Sequence, residues 1–319
     1  MSRLRAAVIG VGYLGNFHAQ KYAALEDAEL AGVVDANAER AREIAAALGT
    51  QSYTDYRDLL DKVDVASIVV PTEHHHRVAK DCLEAGVHIL LEKPVTETLA
   101  QAEELIELAD RRRLVFQVGH LERFNPAVVE VQSLLDRPLF FESHRLSVFK
   151  PRGTDVNVVL DLMIHDIDII LSLVQQDIRE LRASGYPVLT DEVDIANARL
   201  EFTNGCVANV TASRVSQKAM RKMRIFQHDA YFSVDFPTSS IDIARRDGAE
   251  RDEQGFPRIA VEVRQAAEKS DAILAEIRAF LDCVRTGATP AVTGRDGRRA
   301  LAVALEIGRA MAAARRNGT

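Results

Sequence analysis

Short apolar runs alternate with stretches whose apolar residues recur at three- and four-residue intervals through the first 120 or so residues of the chain. Leu4–Ile9, Glu29–Val34, Gln51–Tyr53, Val65–Val70, His88–Leu91 and Leu114–Val118 read as strands. Between them Asn16–Leu25, Ala38–Leu48, Tyr56–Lys62, His75–Ala85 and Leu99–Arg112 carry helical patterns. Runs with no polar alternation suit strands buried on both faces, and strand–helix alternation predicts an α/β domain built on a doubly wound parallel sheet. Ligands of such sheets gather beyond the carboxyl ends of the strands. Gly10–Gly15, Val70-Pro71-Thr72, Glu92-Lys93-Pro94 and Gly119-His120 are therefore expected on one rim.

The pattern changes after Asn125-Pro126. Leu139–Phe149, Glu180–Leu189, Ile195–Phe202, Cys206–Arg214, Met223–His228, Tyr231–Asp235, Ser240–Ala244 and Arg258–Val263 are strand-like, with one strongly apolar helix at Val158–Leu173. Asn204-Gly205 marks a hairpin, and Ile273–Arg285 and Arg298–Arg315 return to helix. This predicts an α+β C-terminal domain with a large, mainly antiparallel open sheet, the domains being 1–122 and 123–319.

Gly10-Val11-Gly12-Tyr13-Leu14-Gly15 lies between the first strand and the first helix, and Asp35 closes the second strand twenty residues after Gly15. That setting makes the glycines a dinucleotide-binding fingerprint, with pyrophosphate at a helix N-terminus and the acid on the adenosine ribose. Asp35 would repel a 2′-phosphate. Arg40 could in principle meet one, but no basic residue follows Asp35 directly, so the cofactor is expected to be NAD.

Composition narrows the class of partner. With 40 basic against 47 acidic residues the net charge is −7, which argues against nucleic acid and for a small-molecule substrate. No apolar stretch is long enough to span a bilayer and the chain enters a strand almost at once, so membrane insertion and a signal peptide are not expected and the compartment is read as cytoplasmic. Cys82, Cys206 and Cys283 are widely spaced, as suits reduced thiols rather than disulfides or a zinc site. His74-His75-His76 resembles a metal cluster, but successive side chains diverge and nothing completes a ligand set, so no metal is expected.

Gly10–Gly15, Glu92-Lys93-Pro94 and Asp161-Leu162-Met163-Ile164-His165 occur in the order and roughly the separations of the Gfo/Idh/MocA family of sugar oxidoreductases, which the whole chain resembles. Pro71-Thr72-Glu73-His74-His75 and Val292-Thr293-Gly294-Arg295-Asp296-Gly297 extend the match. The resemblance implies that His165 is the general base, that Asp161 shapes its protonation and meets substrate, and that Lys93 orients the reacting oxygen. A histidine with an ordinary pKa near ~6.5 suits proton removal at neutral pH, and a lysine suits a developing oxyanion. Gly10, Gly12, Tyr13, Leu14, Gly15, Asp35, Pro71, Thr72, His75, Glu92 and Lys93 would then hold the cofactor. His120, Arg123 and Asn125, at the junction between domains, read either as a capped hinge or as contacts to substrate or cofactor. The chain departs from the family at Asp155-Val156-Asn157 and Met163, where glycines are common, so a differently shaped pocket is expected.

Glu142-Ser143-His144-Arg145, the segment Phe149–Asp155, Val159–Asp168 and Asp191-Glu192-Val193-Asp194 resemble more narrowly the branch of UDP-N-acetylglucosamine 3-dehydrogenases of lipid A precursor synthesis. That implies oxidation of the sugar C3 hydroxyl, with Arg145, Lys150 and Arg152 as candidates for a diphosphate. A dehydrogenase of a free cyclitol or simple sugar, and a non-catalytic NAD-sensing regulator, are the competing readings; an intact Lys93, Asp161 and His165 argue against the second. A mostly antiparallel sheet rests one face on its own helix and leaves the other to be covered, and with the apolar alternation of Ile195–Phe202 and Cys206–Arg214 a homodimer or homotetramer built through that second face is expected.

Overall fold

A computed structural model describes residues 3–150, 156–251, 254–265 and 271–317. The first sheet comprises β1 (Leu4–Ile9), β2 (Ala28–Val34), β3 (Gln51–Tyr53), β4 (Val65–Ile68), β5 (His88–Glu92) and β6 (Phe116–Gly119). All pair in parallel, in the order β3-β2-β1-β4-β5-β6. Burial explains the uninterrupted apolar runs: Ala6 to Ile9 and all of β4 are inaccessible to solvent or nearly so. The crossovers carry α1 (Tyr13–Ala24), α2 (Ala38–Leu48), α3 (Thr72–Glu84) and α4 (Leu99–Arg112). Local chemistry sets their ends: the Asn37 side chain accepts from the N–H groups of Glu39 and Arg40, and Thr98 and Gln101 form a reciprocal capping box.

In the second unit α5 (Pro126–Leu134), which the sequence pattern did not announce, starts on an Asn125 cap with Pro126 in its first turn. The large sheet comprises β7 (Phe140–Leu146), β8 (Ile178–Tyr186), β9 (Ile195–Phe202), β10 (Val207–Ser213), β11 (Met220–Phe226), β12 (Ala230–Asp235), β13 (Ser240–Arg251) and β14 (Pro257–Gln265). Its order is β14-β13-β12-β11-β7-β10-β9-β8, antiparallel except where β7 and β10 run side by side. Between β7 and β8 a π turn, Val159–Met163, leads into α6 (Ile164–Val174), so the expected single helix has two geometries.

The alternation of β9 and β10 is answered within the chain. Ala196, Ala198, Leu200, Phe202, Ala208, Val210 and Ala212 are buried on the face against which the π turn and α6 pack, while Asn197, Arg199, Asn209 and Thr211 turn to the other side. The open face of these two strands is therefore polar, and their apolar positions are covered by the chain's own π turn and helix. Arg145, 3% exposed, lies in this core, where its Nε and Nη2 donate to the two carboxylate oxygens of Asp166 at 2.9 and 3.1 Å.

The boundary expected at 122/123 also changes. One compact unit is 1–124 with 271–301, and the other is 125–270 with 302–319. The return is made by α7 (Ala272–Thr286) and the first part of α8 (Gly294–Asn317). Ile277, Phe280 and Leu281 of α7 share a core with Val8, Tyr22 and Val33. An apolar stripe pays no attention to sequence distance.

Arg145→Ala should strip a buried carboxylate of its partner, and stability should fall by about 3–5 kcal/mol. Urea unfolding of the two proteins measures it; a loss under about 1 kcal/mol would show the pair to be dispensable.

Candidate active site

The turn after β1 is built for close approach. Gly10 has φ +89°, and a Cβ there would lie 2.5 Å from the Val69 carbonyl oxygen; a Cβ on Gly15 would fall 1.8 Å from the Gly10 oxygen. At Gly12 the same atom would meet nothing within 4 Å, so the N-terminus of α1 is open on that side. This end has no side-chain cap and no acid in its first turn, and its N–H groups suit an anionic group. Beside it lies a cavity of 550 Å³ lined by Gly10, Gly12, Asp35, Val70, Pro71 and His74 among others. Asp35 accepts the N–H groups of Val11 at 3.0 Å and Asn37 at 2.9 Å, which aims its carboxylate at the cavity wall. Arg40 is spent elsewhere, donating from Nε to the Val11 carbonyl at 3.0 Å and pairing with Glu43 at 2.9 Å. The cradle fits a dinucleotide with free ribose hydroxyls. Tyr13 and Leu14 begin α1 at this rim, Tyr13 largely exposed.

The next two strand ends are tied together by His75. Buried on α3, it places Nδ1 2.8 Å from the Pro94 carbonyl and Nε2 2.9 Å from the Val70 carbonyl. Burial holds its pKa below the ordinary histidine value, against the raising effect of those carbonyls. His75 thus lies between the turns that follow β4 and β5, where a neutral ring donates to one of these two carbonyls. Its neighbours diverge as expected: His74 is exposed, and His76 Nε2 lies 2.8 Å from Glu104. Pro71 precedes α3 and Thr72 opens it. Glu92 ends β5 buried, with Lys93 half-buried immediately after it.

In the second unit Asn157 explains one departure from the family pattern: its Oδ1 accepts the N–H groups of Val159 at 3.0 Å and Leu160 at 3.1 Å, starting the π turn. Ile164 N–H reaches back to the Val159 carbonyl, a span of five residues. Such turns are rare and favour functional sites. Asp161 lies inside this turn and His165 just beyond, both half-buried, whereas Asp166 and Asp168 are buried. Asp194 supports the region from β9's approach. Burial would raise its pKa, but the N–H groups of Leu189, Val188 and Thr190 and the Thr190 hydroxyl pull it down to about 2.

The residues offered for substrate binding separate. Arg145 is committed to Asp166 and stacks 5.3 Å from the Phe236 ring, which replaces the expected diphosphate contact with a place in the core. Asn125 caps α5 and donates to the Phe236 carbonyl at 3.1 Å, and Arg123 donates to the Ala291 carbonyl at 3.1 Å. His120 is buried behind the end of β6. Lys150 is exposed, and Arg152 lies outside the described residues. Sequence reasoning missed Glu276 and His18, which lie close to Glu92; a buried acid on an apolar helix stripe was the available signal for Glu276.

Residues 4–120 match the oxidoreductase family GFO_IDH_MocA, NAD-binding Rossmann fold, and residues 127–232 match the GFO/IDH/MocA C-terminal domain. The chain belongs to this oxidoreductase family. It is an NAD-binding enzyme of that family, and its two sheets are the family's Rossmann and C-terminal sheets. It is 44% identical over 308 residues, covering 96% of this chain and 97% of the other, to UDP-N-acetylglucosamine 3-dehydrogenase of Acidithiobacillus ferrooxidans. The solved structure of that enzyme superposes with a TM-score of 0.91 at 42% identity, covering 98% of this chain and 99% of that one. scyllo-Inositol 2-dehydrogenase (NAD(+)) of Bacillus subtilis is 28% identical over 337 residues, 99% of this chain and 95% of the other. Levoglucosan dehydrogenase, solved with NADH and levoglucosan, shares the fold at a TM-score of 0.87 and 19% identity, covering 98% of each chain.

With Asp35 at the ribose end of the cradle, NAD should be preferred over NADP, and Asp35→Ser should narrow that preference by about tenfold or more, since like charges at contact cost several kcal/mol. Titration of both nucleotides into both proteins decides it; a wild-type protein that favours NADP would remove Asp35 from the ribose position.

Proposed function

We propose that the protein oxidises the C3 hydroxyl of a UDP-linked N-acetylglucosamine, passing hydride to NAD⁺ and leaving a ketone suited to amine transfer in lipid A precursor synthesis. The observation that carries the reading is Lys93, placed directly after buried Glu92 and before Pro94, whose carbonyl His75 engages. Likeness along nearly the whole chain to a UDP-N-acetylglucosamine 3-dehydrogenase supports the substrate.

Bound NAD⁺ would supply the hydride acceptor. The rest falls to side chains: His165 takes the hydroxyl proton, Asp161 one helical turn before it orients the imidazole and meets the sugar, and Lys93 offsets negative charge growing on the oxygen. An ammonium at the end of a short, buried strand is well suited to this task because its backbone does not reorganise as charge develops. Lys150 remains the described cation offered to a diphosphate, now without Arg145. Binding energy from a remote nucleotide is useful only if it seats the reacting carbon, so a free sugar should lose turnover as well as affinity.

NADH absorbance with UDP-N-acetylglucosamine, free N-acetylglucosamine and myo-inositol tests the reading. The UDP-sugar should be the one turned over efficiently, and His165→Ala or Lys93→Ala should lower kcat by about 10²–10⁴ while NAD affinity holds. Equal turnover of the free sugar would refute the nucleotide-sugar reading, and efficient oxidation of the inositol alone would replace it with a cyclitol dehydrogenase. Full activity in either variant would unseat that residue.

We further propose a homodimer or homotetramer built through the open face of the large sheet, at its β14 end. Edge strand β14 exposes Ile259 (56%), Val261 (72%) and Val263 (67%) at alternate positions, so they share one face. A long apolar edge in water is an aggregation hazard that a second copy would cover. Val261→Asp should sediment as a smaller species than wild type at micromolar concentration; a wild-type monomer would end the proposal. Three buried, unbridged cysteines support a cytoplasmic, reducing compartment.

A further inference from the structure

Below the carboxyl end of β5 three ionisable side chains meet out of reach of solvent. His18 comes from α1, Glu92 ends β5 and Glu276 comes from α7, and one nitrogen or oxygen of each lies within 4.8 Å of the others. His18 Nε2 is 3.4 Å from Glu92 Oε1, and its Nδ1 is 3.2 Å from the Ser67 hydroxyl, itself 3.0 Å from the Tyr22 hydroxyl. Glu92 Oε2 accepts the backbone N–H of Lys93 at 3.3 Å. Across β6 there is no slack: a Cβ on Gly119 would fall 2.8 Å from Glu92 Oε1. Glu276 is 0% exposed, and neither of its carboxyl oxygens has a hydrogen-bond partner among the described residues.

Two carboxyls this close in a dry site do not both ionise near neutrality. Glu92 accepts the Lys93 N–H and lies 3.4 Å from His18 Nε2, whereas neither carboxyl oxygen of Glu276 accepts a hydrogen bond from any described residue, so the proton belongs on Glu276. Burial first, and then the charge of Glu92, push Glu276 well above the usual carboxylate range. The surrounding groups leave that balance in place. Tyr22 and His18 face it from α1, and Gln117 of β6 donates to its backbone carbonyl at 3.2 Å. From the turn Leu121–Phe124, which packs on α7, Arg123 is directed to the Ala291 carbonyl and Glu122 adds a further acid; Lys21 of α1 pairs with Asp271 at the start of α7.

We propose that Glu276 is a positioning residue for the reaction, packing a protonated carboxyl against Glu92 and His18 so that Glu92 keeps its hold on the Lys93 backbone. The proposal rests on Lys93 being catalytic. Glu276 acts through Glu92 and touches neither sugar nor dinucleotide. A second negative charge in the pocket would pull His18 and the Lys93 N–H between two acceptors, and the strand end would lose its fixed geometry.

The pH dependence has a definite sign. The folded chain keeps the Glu276 proton where the unfolded chain has released it, so this group's contribution is fully present below the ordinary glutamate value of about 4.3 and is lost as pH rises towards the folded value. Glu276→Gln keeps shape and neutrality and removes that dependence. The full-length wild type should therefore lose Tm more steeply than Glu276→Gln as pH rises above about 4.3. Glu276→Ala should lower kcat about tenfold with KM and NAD affinity little changed, Glu276→Gln should recover most of that loss, and its alkaline fall in kcat should begin at higher pH than in wild type. Failure of the glutamine variant to recover turnover would overturn the proposal. So would parallel Tm curves for wild type and Glu276→Gln, or a stoichiometric divalent metal in the purified protein by elemental mass spectrometry. Full turnover in Lys93→Ala would overturn the positioning role through its premise, while the Tm comparison would still show where the proton sits.

Discussion

The contact between helix α1 and the ends of β1 and β4 leaves no space for a side chain at Gly10 or Gly15, and the site follows from that closeness. Pressed this near, the helix turns its first N–H groups towards the cavity that Asp35 borders. One turn further on, the same placement sets His18 against Ser67 and within reach of Glu92. Glu92 in turn holds the N–H of Lys93, and His75 fastens the carbonyl of Pro94 on the other side. Cofactor cradle and lysine are thus two ends of one train of contacts.

Electrostatics inside this frame is governed more by burial than by formal charge. Arg145 reads from the sequence as a cation near a phosphate, yet so large an ion is desolvated here against Asp166, and that partner lies 21 positions away on α6. Asp194 is the reverse case, an acid that stays ionised in the interior because backbone N–H groups converge on it. The Arg145 partner cannot be read from neighbouring letters, and the Asp194 partners, though within six residues, converge only because the turn before β9 folds back on it.

Elements whose determinants are local were legible. β1, α2, α4 and β9 lie where the pattern put them, since an apolar run or alternation, or a cap such as Asn37 or Thr98, suffices to define them. The π turn was not, because its five-residue hydrogen bond from Ile164 to Val159 leaves the apolar periodicity nearly intact. α5 was short enough to hide in a junction that Asn125-Pro126 marked only as a break. Of the site, Lys93, Asp35 and the glycines were visible as motif, whereas Glu276 needed the fold to bring α7 beside β5. Alternation in β9 likewise shows that a face is buried, without showing by what.

The return of α7 to the first unit bears on how the protein is made. Ile277, Phe280 and Leu281 complete the core that contains Val8, Tyr22 and Val33, so a nascent chain that has emerged only through β6 still presents that apolar surface to water. The whole second sheet, β7 to β14, must leave the ribosome before the missing helix arrives. The nucleotide-binding half, first to be translated, is consequently among the last to close. During that interval its protection comes from whatever else in the cell covers an unfinished Rossmann sheet.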